Sequence, residues 1–142
     1  MKYGILTLFL LMPFVARASK AVDVRGKQTV AKQHLAVSFG HKTNEKILFE
    51  ISRFDGAPIY LGAYLIDGRI VSRSVLTAGI YRKFVDQFER IDAPAATTRC
   101  AQALIVERSP ASEKAICLEG LPPATNKQLS KWWLDSRRIL GI

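Results

Sequence analysis

The sequence predicts an α+β domain: an antiparallel sheet, made of a three-stranded meander and a later hairpin, with two amphipathic helices packed on it. Three observations carry this. Asp55-Gly56 and Asp67-Gly68 each separate runs rich in β-branched and aromatic residues, and Asp-Gly suits a two-residue hairpin loop because both central positions need positive φ. Two later segments carry apolar residues at helical spacing instead of alternation. Strands and helices do not alternate at the spacing of βαβ crossovers, so a parallel sheet is not expected. The order is ββββ-α-ββ-α, with the first strand the weakest pattern.

The chain opens with "MKYGILTLFLLMPFVARA". A positive start, an apolar run from Tyr3 to Val15 and the small-residue pattern Ala16-Arg17-Ala18 make up the layout of a secretory signal peptide. The run is short for a membrane span and holds Pro13, so cleavage after Ala18 is expected, with a periplasmic or secreted product. No cysteine stands near the cut to carry a lipid. Cleavage leaves 124 of the 142 residues, enough for a single domain with a core of its own. Residues 19–33 are polar and basic and read as a flexible arm or a short helix ahead of the domain at 34–142.

"HLAVSFG", from His34 to Gly40, is the first strand. "KILFEISRF", "APIYLGAYLI" and "RIVSRSVL" form the meander. Two-residue turns set its register: Ile51 faces Tyr60, Phe49 faces Gly62, Ile47 faces Tyr64, and Tyr64 also faces Val71. One face then carries Ile47, Phe49, Ile51, Tyr60, Tyr64, Ile66, Val71 and Val75. The other carries Ile59, Leu61, Ala63, Leu65 and Ile70, with Glu50, Ser52, Ser72 and Ser74. The central strand is apolar on both faces, which an ordinary half-wet meander does not need. The second face therefore calls for a cover: the N-terminal segment, a helix, a partner chain or a ligand.

Ile80, Phe84, Phe88 and Ile91 recur at helical spacing, widened by Tyr81 and Val85. Thr77 is the expected N-cap, and Pro94 stops the helix soon after Asp92. Its polar side mixes Arg82, Lys83 and Arg90 with Asp86, Glu89 and Asp92, which reads as a solvated face. The last segment, "PPATNKQLSKWWLDSRRILGI", has Pro122-Pro123 as a break and Thr125 to Gln128 as a capping box. Leu129, Trp132, Trp133, Ser136 and Leu140 form its inner stripe, and Gly141 its C-terminal cap.

Between the helices, Cys100 and Cys117 flank the second hairpin. Two cysteines in an exported chain predict a disulfide; closing a loop of this size contributes about 3 kcal/mol in the chain-entropy model. A four-residue loop, Ser109 to Ser112, places Arg108 opposite Glu113 and Cys117 opposite Leu104. Cys100 would then lie about 13 Å along the strand, beyond the roughly 7 Å that a bridge tolerates. The bridge forms only if the chain before Ala101 bends.

No constellation in the sequence suits catalysis. His34 and His41 lack acidic or cysteine partners at metal spacing, and there is no Gly-rich phosphate loop, nucleophile elbow or zinc-protease motif. No cofactor, metal ligand or catalytic residue is expected. The net charge is +9 and becomes +7 once the leader takes Lys2 and Arg17, which raises the prospect of an anionic partner. Trp132 and Trp133 are interaction candidates, since neighbouring helical residues point about 100° apart and one ring could sit at the margin of the core. Lys127, Lys131 and Arg138 along the last helix, with Arg69 and Arg73 on a strand, are basic strips that could hold an acidic envelope polymer or lipid headgroups. Aromatics interleaved for base stacking are missing, so nucleic acid is a poor partner. The expected function is that of an exported, non-enzymatic binding or structural module of the cell envelope, acting through contact with an envelope protein or with itself. The rival readings are a binder of acidic polymer or lipid and, more remotely, a cysteine-dependent enzyme.

Overall fold

The computed structural model describes residues 29–39, 44–109 and 112–142. The expected signal peptide, residues 19–28 of the arm, and His41 lie outside the described residues. Six antiparallel strands form one sheet: β1 (Thr29–Phe39), β2 (Glu45–Phe54), β3 (Ala57–Ile66), β4 (Arg69–Leu76), β5 (Ala103–Ser109) and β6 (Ser112–Cys117). Helix α1 (Ala78–Glu89) follows β4, and α2 (Pro123–Ile139) follows β6. The strand order is β4-β3-β2-β1-β5-β6, so the meander extends through β1 to the second hairpin. The element order is ββββ-α-ββ-α, an α+β fold.

The Asp-Gly turns form as the sequence requires. Asp55, Gly56, Asp67 and Gly68 all have positive φ, between 48° and 82°. They hold Ile51 opposite Tyr60, Phe49 opposite Gly62 and Ile47 opposite Tyr64. β1 begins at Thr29, so the last five residues of the expected arm are strand, paired from Thr29 opposite Arg53 onward.

The register on β4 departs from expectation. Leu65 pairs with Ile70, but Tyr64 pairs with Ser72, not Val71, because Val71 is the extra residue of a β-bulge. The remainder of β4 is thereby turned over. Ser72, Ser74 and Leu76 face the helices, while Val71 and Val75, expected inside, are 56% and 75% exposed. Charge supplies the physical reason. An unbulged strand would carry Arg73 beneath the helices together with Val71 and Val75, and burying an unpaired cation is costly. The bulge instead places Arg73 on the face opposite α1 and α2, 3.3 Å from Glu50, and puts small serines under the helices.

Both helices pack on one face of the sheet. Thr77 caps α1 by accepting from the Ile80 N–H at 3.2 Å, and Tyr81, Phe84, Val85 and Phe88 are buried. α2 starts earlier than the capping box implies. Pro123 occupies its first turn, where a missing N–H costs nothing, and no side chain caps it. The inner stripe is as expected: Leu129, Trp132, Trp133, Ser136 and Leu140 are all buried. Gly141 ends the helix at φ +78°.

Phe49 is the centre of the core. Its ring stacks on Phe84 with centroids 5.6 Å apart and meets Tyr81 and Trp132 edge-on. Leu35, Val37, Ile47, Tyr64, Leu104, Val106 and Ile116 extend the same core across the sheet.

The second hairpin is tighter than expected. Ser109 pairs with Ser112, Glu107 with Glu113, and Ala103 with Cys117, and a register irregularity at Arg108 separates the first two pairs. Arg108 therefore does not face Glu113; it pairs with Glu89 on α1 at 2.6 Å. The chain bends at Ala101 and Gln102, where the Leu118 N–H bonds the Gln102 carbonyl and the Gln102 N–H bonds Glu119. This bend brings the Cα atoms of Cys100 and Cys117 to 5.5 Å, within disulfide range.

Candidate functional site

Two regions gather the residues singled out in the sequence. The first is the β4 border of the sheet. Ile70 is 57% exposed, beside Val71 and Val75. Among the described residues, no backbone-to-backbone hydrogen bond joins β4 to a group outside the sheet. The opposite border is different: the Ala96 N–H donates to the Ala115 carbonyl at 2.7 Å, and Lys114 Nζ reaches the Ala93 carbonyl. The segment after α1 thus covers β6, and β4 is left with an open edge. The bulge also separates the two strand arginines. Arg69 pairs opposite Ile66 on the helix side and Arg73 opposite Ala63 on the other, so they do not form one strip.

The face opposite α1 and α2 carries Leu48, Ile59, Leu61, Leu65 and Ile105 among Lys46, Glu50, Arg73 and Glu107. Lys46 pairs with Glu107 at 3.4 Å. Among the described residues no helix lies over it. The N-terminal segment, one of its expected covers, lies outside those residues.

The second region is the groove between α1 and α2. The helices run antiparallel there, and two adjoining open cavities of about 240 and 410 Å³ lie between them. Trp132 is buried; its ring forms part of the floor, and its Nε1–H donates to the Phe84 carbonyl at 2.8 Å. Trp133 is buried too, edge-on to Phe39 at 4.4 Å. Neither indole is therefore a surface anchor. Both complete the core, as large aromatics on an inner stripe commonly do.

Lys131 and Arg138 of the expected helical strip enter the groove, and Lys127 does not. Across from them stand Lys83 of α1 and Arg90 at its C-cap, which the mixed charges of this stretch mark as a solvated face. The signal was a seven-residue spacing beside Phe84 and Ile91, which places both on the flank that meets α2. Asp135 lies between, 2.5 Å from Lys131 and 3.7 Å from Arg138. The hydrogen bond from Lys131 is the largest influence on its carboxyl; burial opposes it, and the charges of Lys131, Arg138 and Lys83 add to it, so the carboxyl is held below the ordinary range. Lys83 and Arg90 make no ion pair among the described residues.

His34 lies in β1, at its register shift against β2. Among the described residues, no three His, Cys, Asp or Glu side chains gather as a metal site, and no helix is long and apolar enough to cross a membrane. In comparisons with known proteins, no family model, curated protein or solved structure matches the chain at a significant level.

Proposed function

We propose that this chain is an exported, non-enzymatic binding module of the cell envelope that acts through protein contact at the β4 border of its sheet. One observation carries the reading: Ile70, Val71 and Val75 are exposed together on a strand whose outer edge has no backbone partner among the described residues. Exposed apolar edges are a liability that proteins usually blunt or cover, and the same molecule covers its other edge. An extended segment of a partner can add to such a strand through backbone bonds, with its apolar side chains set against Val75 and Ile70. Beyond the bulge, the straight run from Ser72 to Leu76 is the part available for pairing. Export is supported by the leader pattern and by two cysteines at disulfide distance.

The test places a photo-crosslinking residue at Val75 in the full chain, expressed in cells, with Leu134 on α2 as an exposed apolar control. The expected result is an envelope-fraction protein beginning near Ser19, with a discrete adduct from position 75 and none from 134. Retention of the leader in the cytoplasm, or no adduct from position 75, would overturn the reading.

A further inference from the structure

We infer that the groove between α1 and α2 is a binding site for a linear polyanion, a chain bearing repeated carboxylate or phosphate groups. The inference is independent of the β4 border, which lies elsewhere on the molecule.

The argument rests on how the cations are distributed. Arg90 and Lys131 share one cavity, Lys83 and Arg138 the other, and Lys131 and Asp135 border both. Four cations thus face one carboxylate, and that carboxylate already accepts from Lys131. Like charges held along a groove repel one another unless a counter-ion sits between them. Lys83 and Arg90 are seven residues apart on α1, about 10 Å along a helix. Two basic pairs at that separation suit successive anions on one chain better than a single small ion. Ile91, Ile139 and the buried edge of Trp132 line the floor, giving an apolar bed for the carbon skeleton between the charges. Phe84 adds to that bed, and the remaining polar lining groups, Gln87 and Gln128, are neutral hydrogen-bonding amides. Asp86 projects from α1 next to this flank and lines neither cavity.

The ligand could come from either of two sources of the same chemistry, a carboxylated or a phosphorylated polymer. The experiment titrates the purified protein with poly-L-glutamate, with linear polyphosphate and with orthophosphate, by calorimetry at about 20 mM and about 200 mM salt. Expected is binding of at least one polymer, weakened tenfold or more at the higher salt because exposed charges are then screened. Orthophosphate should bind at least a hundredfold more weakly. Which polymer binds identifies the source. Lys83→Gln with Arg138→Gln should reduce polymer affinity tenfold or more while leaving the circular dichroism and melting temperature unchanged, as both side chains lie at the groove's rim. Asp135→Asn should tighten binding severalfold by releasing Lys131. Arg69→Gln with Arg73→Gln, which leaves the same net charge, should change affinity less than twofold. The inference fails if neither polymer binds, if orthophosphate binds equally well, or if the β4 variant loses as much affinity as the groove variant. It also fails if, in a parallel titration with vesicles of phosphatidylglycerol, only the vesicles bind, because a membrane surface would then be the partner.

Discussion

Gly62 lies beneath the side chain of Leu140, near the end of the chain. A Cβ built there would lie 2.7 Å from Leu140 Cδ2 and 3.1 Å from Leu76 Cδ1. Leu140 is itself buried, and Ser72 Oγ donates to its carbonyl, so the helix end has little room to retreat. Gly62→Ala should cost about 1–3 kcal/mol in urea unfolding, the range for overpacking a filled core. Adding Leu140→Val should recover part of that loss, and a neutral Gly62→Ala would show that the helix end is loosely held. Tyr81 carries a different constraint. Burial, then the neighbouring Tyr60, Glu89 and Glu50, pushes its phenol far above the ordinary tyrosine value. In the unfolded chain that phenol ionises at about pH 10. Above that pH the unfolded state loses a proton that the folded state keeps, so stability must fall as pH rises. Tyr81→Phe should lessen the alkaline decline without abolishing it, since burial raises Tyr64 in the same direction.

At the scale of the element, β4 is where local sequence and tertiary structure part. Alternation places Val71 and Val75 inside; the bulge reverses this and buries Leu76. Mutation can separate the two arrangements. Leu76→Ala should cost about 2–5 kcal/mol, as for a buried leucine. Val75→Ala should stay within about 0.5 kcal/mol, as for a surface change. Equilibrium unfolding of the two variants checks this, and an unbulged strand would reverse the ranking. The contrast with β2 and β3 explains what can be read from the chain alone. Asp-Gly turns fix register across a hairpin, and both turns formed as expected. A bulge has no such local signature here, because its cause is the placement of Arg73 relative to helices that come later in the sequence. The helices follow the same logic. Their apolar stripes named the buried residues of α1 and α2 almost one for one. The groove between them was hidden, because Lys83 and Lys131 meet only once both stripes have docked on the same sheet.

Across the whole molecule, the two borders of the sheet are managed in opposite ways, and the cysteine pair belongs to the covered one. Cys100 anchors the segment that runs from α1 past β6, and Ala96 bonds the edge of that strand. The sequence supplied the need for a bend before Ala101; the bend, with Ala103 opposite Cys117, is what brings the sulfurs together. Bridging a loop of sixteen intervening residues should contribute about 3 kcal/mol by restricting the unfolded chain. Cys100→Ser with Cys117→Ser should therefore lower the stability of the oxidised protein by about that amount in urea, and added reductant should have the same effect on the parent chain but none on the double variant. The loss should have a location as well as a size. Without the bridge, the Ala96–Ala115 bond is left with the Lys114–Ala93 contact and the Gln102 bonds to Leu118 and Glu119 as its neighbouring ties among the described residues. Amide exchange should accordingly rise first in β6 and in residues 96–102, leaving β2 and β3 protected up to global unfolding. A uniform rise across the sheet would mean that the pair acts only through the unfolded state. Localised opening would show that it also keeps the second edge closed, so that among the described residues β4 is the border left to a partner strand.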